Sequence, residues 1–182
     1  MSETSKILSL WGKVTLFVVL MVSMWSCSDS KNTTSQAPEL KMLGAYVYSS
    51  GYDYDSFVWV TFEYQDADGD IGLNEADTFG AFKYGQPNFY NWECKIWQLK
   101  NGQWIQPMNP VQPSDTLILR DRLPRVLPEG QSQSVHGRMD YFVPARPYYF
   151  RGDTVKYQFL LKDRSGHVSN LVETQILTLK HP

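Results

Sequence analysis

Cysteine, histidine, positive charge and long apolar runs are all scarce in this chain, and each scarcity excludes something. Two cysteines, Cys27 and Cys94, rule out a disulfide-dense scaffold and any CxxC redox or zinc centre. The three histidines, His136, His167 and His181, accompany no HExxH or GxSxG pattern, and no Gly-rich phosphate loop occurs. The chain is therefore read as non-catalytic. With 17 basic against 19 acidic residues it has no excess of positive charge to offset phosphates, so nucleic acid is not an expected partner. No apolar run approaches the roughly 20 residues that cross a bilayer as a helix. What remains is 42% hydrophobic and 20% charged, a balance that supports a packed core and excludes wholesale disorder. The length of 182 residues allows one or at most two domains. Aromatic residues are plentiful (6 Trp, 11 Tyr and 9 Phe), and their shape suits pleated, half-buried surfaces.

The N-terminus carries an address. Lys6 and Lys13 form a basic region, and Val14 to Trp25 is an uncharged apolar stretch of 12 residues. It stops at Ser26-Cys27 and gives way to the polar segment SDSKNTTSQ. This arrangement resembles a bacterial lipoprotein signal, with Met24 and Ser26 at fitting positions and Trp25 departing from the usual small residue. The resemblance implies that Cys27 becomes the acylated first residue and that the membrane is a partner through a lipid anchor. More than one acyl chain is needed for stable anchoring, and a lipoprotein cysteine carries more than one. The expected organisation is residues 1–26 as signal peptide, 27–37 as lipidated cysteine and flexible tether, and 38–182 as the folded domain. The remaining 156 residues hold 15 basic and 18 acidic side chains. Once Cys27 is lipidated Cys94 has no disulfide partner, and its setting (NWECKIW) predicts a small buried hydrophobe.

From Pro38 onward the pattern is one of strands and turns, and no window sustains a helical period. Strands are expected at Lys41–Ser49, Phe57–Tyr64, Trp92–Leu99, Gln103–Gln106, Thr116–Leu119, His136–Val143, Thr154–Lys162 and Val168–Leu179. Phe57–Tyr64 has apolar residues on both faces, as a strand central to its sheet, or covered at one end, would. Asn101-Gly102 is a strong two-residue hairpin signal. Residues 107–135 hold five of the ten prolines and read as loop around one short strand. About seven strands without helices predict an all-β, antiparallel immunoglobulin- or fibronectin-III-like sandwich.

Two motifs stand out. Asp153, Val155, Tyr157 and Phe159 alternate as in the tyrosine corner of immunoglobulin-like domains, where a buried tyrosine hydroxyl bonds to the backbone. Asp153 and Tyr157 are thus structural candidates, and Phe159 stands where antibody domains carry a cysteine. Asp66, Asp68 and Asp70 alternate in DADGDIG. They either converge on a hard cation such as calcium or form a sharp turn of the kind Asp and Gly favour. The EF-hand pattern fails, because Ile71 takes its glycine position and Asp77 its glutamate position. The plain turn is the preferred expectation, with the three aspartates kept as calcium candidates.

The segments FEYQDADGDIGL and KDRSGHVSN together resemble a group of uncharacterised envelope lipoproteins of Bacteroidota. The resemblance rests on Asp68-Gly69-Asp70-Ile71-Gly72, Asp163-Arg164 and Ser169-Asn170, with His167 where asparagine is usual. It implies an immunoglobulin-like sandwich on the cell envelope, at the outer membrane, and brings no activity with it. The expected function is binding or interaction with a protein or glycan partner. The alternative is a carbohydrate-binding accessory to a glycan-uptake system. Trp59, Trp92, Trp97, Trp104, Tyr141, Tyr148 and Tyr149 are the candidate platform, although core packing accounts for aromatics of this kind more cheaply.

Overall fold

Side chains that alternate along a pleated strand must cover one face, and here two sheets cover each other. The computed structural model describes residues 36–49, 55–145 and 154–180. Among them nine strands occur: β1 (Glu39–Ser49), β2 (Asp55–Asp66), β3 (Trp92–Lys100), β4 (Gln103–Ile105), β5 (Ile118–Asp121), β6 (Val135–Pro144), β7 (Thr154–Leu161), β8 (Val172–Glu173) and β9 (Leu177–Thr178). One 3₁₀ turn, Gly80–Phe82, interrupts the connection between β2 and β3. Among the described residues no helix is long and apolar enough to cross a membrane. The first sheet has the order β1-β2-β6 and the second β4-β3-β7-β8, with antiparallel neighbours throughout. β5 shares the outer edge of β3 with β4, and β9 shares the edge of β7 with β8. Counting each shared edge once gives seven strand positions. After β3 the chain stays on the edge of the second sheet before crossing to β6, giving an antiparallel β-sandwich of three and four strand positions.

Local sequence explains most of these elements. β2 lies between β1 and β6, so both its edges are paired, as its two-sided apolar pattern predicts. Val58, Val60 and Phe62 are fully buried, while Trp59 faces outward. β3 and β4 join through Asn101 (φ 52°) and Gly102 (φ 77°), with Lys100 paired to Gln103. Positive φ at both turn residues is what a type I′ hairpin requires. Cys94 is wholly buried in β3, and burial pushes its thiol pKa well up, so it behaves as the expected small hydrophobe.

The centre of the core is aromatic. Phe62 of β2 meets Phe159 of β7 edge-on at 4.9 Å between ring centroids, and Trp92 of β3 packs on both, at 5.3 Å and 5.4 Å. Antibody domains place a disulfide between the corresponding strands and a tryptophan against it. Here a pair of phenylalanines spans the sheets instead.

Three expectations need correction. The segment Val168–Leu179 is two short strands rather than one. Thr174 breaks it, because its hydroxyl takes the Tyr157 N–H at 3.1 Å while its own N–H donates to the Tyr157 carbonyl at 2.9 Å. The strand expected at Thr116–Leu119 runs two residues later, since Leu117 donates to Pro107 and Thr116 bridges to Met108. Tyr157 is fully buried, but its hydroxyl has no hydrogen-bond partner among the described residues, so the bond that defines the tyrosine corner is not made to any of them. Asp153 lies outside the described residues. Burial, and secondarily Cys94, raise the Tyr157 pKa. Removing an unsatisfied buried hydroxyl relieves desolvation, so Tyr157→Phe is expected to leave stability unchanged or raise it by about 1 kcal/mol. Urea unfolding checks this, and a loss of 1 kcal/mol or more would mean that the hydroxyl is bonded.

The flank between the sheets is closed by side chains imitating a ladder. Asn170 accepts from the Leu40 N–H and donates to the Leu40 carbonyl, both at 2.8 Å, and Gln175 donates to the Ala45 carbonyl at 2.5 Å. Ser169 holds the end of β7 by accepting the Leu161 N–H at 3.0 Å. The Ser169-Asn170 pair is therefore a clamp between β7 and β1.

Candidate functional site

Register brings three connections to one end of the sandwich. Asp66 pairs with Val135, and Trp92 pairs with both Asp121 and Leu161. Residues 67–91, 122–134 and 162–171 consequently leave the strands at the same pole. In immunoglobulin variable domains the loops clustered at one such end do the binding.

The acidic segment forms the middle of this pole. Asp66 ends β2 and is 2% exposed; its Oδ2 accepts the Asp70 N–H at 2.9 Å. Gly69 (φ 71°) and Gly72 (φ 95°) turn the chain where no side chain fits, because a Cβ on either would overlap the backbone of residues 133 or 124–125. Between them Asp70 reaches the β7–β8 connection: its Oδ2 accepts from the Ser165 N–H at 2.9 Å and the Ser165 hydroxyl at 2.6 Å, and its carbonyl accepts from Arg164 at 3.2 Å. Ile71 bridges to Asp163 directly.

Asp163, which carries no ligand signature in the sequence, completes the group. It is 1% exposed, and one oxygen each of Asp66, Asp70 and Asp163 lie within 4.8 Å of one another. Asp68 lies outside that trio, and the Ser132 hydroxyl donates to its carbonyl at 3.2 Å. The Oδ1 atoms of Asp66, Asp68 and Asp70 are all shielded from solvent and have no hydrogen-bond partner. Burial first, then the charges of Asp68 and Asp70, push the Asp66 carboxyl up to about 6. Burial also raises Asp163, against the pull of two hydrogen bonds from His167: N–H to Oδ1 at 2.7 Å and Nδ1 to Oδ2 at 2.8 Å. The same contact raises the pKa of His167. Ser165 points its hydroxyl at Asp70 rather than at the Asp163–His167 pair.

A second network fixes the rim. Arg122 donates to the carbonyls of Phe89 (2.6 Å), Asn74 (3.2 Å) and Asp77 (2.9 Å), with its guanidinium 4.8 Å over the Phe89 ring. Arg164 pairs with Asp77, which also accepts the Asn74 N–H at 2.7 Å. Those contacts overcome burial and hold the Asp77 carboxyl below its ordinary range. Asp77 therefore has its own cation, whereas no lysine or arginine among the described residues pairs with Asp66, Asp68 or Asp70.

A different feature occupies the outward face of the three-stranded sheet, near the other end. The register aligns Tyr46 with Trp59 and Trp59 with Phe142, and sets Tyr48 beside Phe57 in the next row. Tyr46 is 65% exposed, Phe142 52% and Trp59 42%. Tyr48 stacks on Phe57 at 4.6 Å, and Phe142 contacts Phe57 at 5.2 Å and Trp59 at 5.6 Å. The Asp140 carboxylate, bonded by the Thr61 hydroxyl at 2.7 Å and by Trp59, lies beside the rings, and these bonds lower its pKa. Among the described residues, only Trp59 of the expected platform belongs here. Trp92 is core, Trp97 donates to Gln158 at 2.9 Å, and Trp104 lies under the Lys156 ammonium at 5.0 Å. Tyr141 bonds Asp121 across the flank, and Tyr148 and Tyr149 lie outside the described residues, as does Cys27. Tyr46, Tyr48, Phe57 and Phe142 join Trp59 because strand register makes them neighbours, which residues so far apart in the chain do not signal.

No family model matches this chain, and no curated protein or solved structure does either.

Proposed function

We propose that this chain is a lipid-anchored, non-catalytic binding domain of a bacterial cell envelope, held to the outer membrane through acylated Cys27. The observation that carries the binding role is the group of five aromatic side chains, Tyr46, Tyr48, Phe57, Trp59 and Phe142, on the outward face of the β1-β2-β6 sheet. Single exposed aromatics are ordinary, but contiguous ones leave apolar area in water that a partner can cover. β1 begins at the acidic pole, where Glu39 pairs with Gln65. The aromatic rows then sit about 20 Å further along β2, at roughly 3.3 Å per residue.

A glycan partner is the second reading, supported by Trp59. Its flat face suits the C–H face of a sugar ring, and Asp140 and Thr61 beside it offer polar groups for hydroxyls. Two measurements test the proposal. Cys27→Ala is expected to abolish palmitate incorporation and release the protein from the membrane fraction, and equal labelling of both proteins counts against the anchor. Affinity electrophoresis in gels containing polysaccharide is expected to retard the wild type, and Trp59→Ala with Phe142→Ala to migrate freely. Retardation that survives both substitutions counts against the aromatic face.

A further inference from the structure

We propose that Asp66, Asp70 and Asp163, with Asp68 beside them, form a calcium site that ties the β2–β3 connection to the β7–β8 connection. Clustered carboxylates alone show little, since exposed acidic groups are common without an ion. Two observations set these apart. Asp66 is 2% exposed, lies within the cluster, and has an Oδ1 with neither solvent nor a hydrogen-bond donor to satisfy it. Asp68 and Asp70 each contribute a further shielded, unpartnered Oδ1. Buried polar atoms are nearly always paired, and an ionised carboxylate left without partner or cation is among the costliest groups to bury. Asp66 and Asp70, the two of these that belong to the converging trio, present oxygens that one cation would satisfy together.

The chemistry selects a hard ion. Every donor is a carboxylate oxygen; His167 is directed at Asp163, and the one described cysteine is buried in β3. Oxygen-only sets suit calcium or magnesium over zinc or copper. Calcium takes six to eight oxygens at about 2.3–2.6 Å, so two ligands on opposite sides of it stand about 4.6–5.2 Å apart. Oxygens of Asp66, Asp70 and Asp163 within 4.8 Å of one another meet that spacing. Magnesium demands a tighter octahedron and gives up its waters reluctantly, so a preformed cage of carboxylates favours calcium.

The inference is independent of the aromatic face and of the anchor. An ion here would join Asp163 to Asp70 and Asp66, 93 and 97 positions earlier in the chain, reinforcing the Ser165–Asp70 hydrogen bonds already present. It would rigidify the pole without exposing a reactive centre, because the donors that hold it are largely buried.

The full chain, purified in detergent and stripped with EDTA, provides the test. Calcium chloride titrated over roughly 0.1–10 mM brackets the affinities of extracellular calcium modules. It is expected to raise Tm by about 5 °C or more near saturation, and magnesium chloride by much less. Asp66→Asn and Asp163→Asn should each abolish the calcium shift, and Glu129→Gln, on an exposed loop residue, should retain it. The EDTA-treated Asp66→Asn protein should melt no lower than the stripped wild type, because the substitution removes one of several mutually repelling charges. Terbium luminescence excited through tryptophan, displaced by calcium, reads binding directly and does not depend on any variant folding. An unmoved Tm together with no displaceable terbium signal overturns the site. A shift that survives both aspartate substitutions overturns it too, as does an equal response to magnesium.

Discussion

Replacing Phe62 by alanine is expected to cost about 3–5 kcal/mol, a large part of the stability of a domain this size. Phe62 is fully buried and touches Trp92 and Phe159, so its ring links β2 to the second sheet. Truncation removes the transfer energy of the ring and leaves a cavity that three β-strands cannot easily collapse. Trp59→Ala on the outward face of the same strand should cost far less, since that ring already meets solvent. Urea unfolding followed by circular dichroism compares them, and equal losses would mean that the faces of β2 are assigned wrongly. The pair Phe62→Ala and Phe159→Ala should be non-additive, because each removes half of one contact.

Gly72→Ala should be nearly as damaging, at about 3–5 kcal/mol, for a different reason. At φ 95° an L-residue pays about 1–3 kcal/mol of backbone strain. A Cβ there would also lie 2.5 Å from the Arg125 Cα and closer still to the Pro124 carbonyl oxygen. Relief by moving residues 124–125 would sacrifice the flanking bonds, Leu73 N–H to Leu123 at 2.9 Å and Val126 N–H to Ile71 at 3.2 Å. Overpacking of this kind adds about 1–3 kcal/mol. Gly130→Ala is the control: φ is 79°, but nothing lies within 4 Å of the added Cβ, so only the strain applies. Calorimetric melting should therefore separate the two variants clearly, and indistinguishable Tm values would show that the contact with residues 124–125 is not tight.

Gly72 also shows where reading a sequence succeeds. The DGDIG segment reads as a turn because Asp and Gly tolerate positive φ, and a turn is what it forms. The close approach of Pro124 and Gln133, which makes Gly72 and Gly69 irreplaceable, comes from residues about 50 or more positions away along the chain. The aspartates divide similarly. Alternation along one segment identifies Asp66, Asp68 and Asp70 as candidates, while Asp163 joins Asp66 and Asp70 only because the end of β7 lies beside the acidic loop.

What the sequence by itself determined was whatever neighbouring residues decide: the period-2 burial of β2, β3 and β7, the Asn101-Gly102 hairpin, the apolar surroundings of Cys94 and the all-β class. Those signals are local, because pleat and turn geometry depend on residues a few positions apart. The tertiary structure alone decided the rest. Cross-strand register made neighbours of Tyr46, Trp59 and Phe142, packing left the Tyr157 hydroxyl without a bond to any described residue, and Thr174 split the last strand by bonding β7 through its side chain. Topology carried Asp163 to Asp66 and Asp70. Each depends on which distant segments meet and in what register, and a register shift of a single residue turns every side chain of a strand to the opposite face.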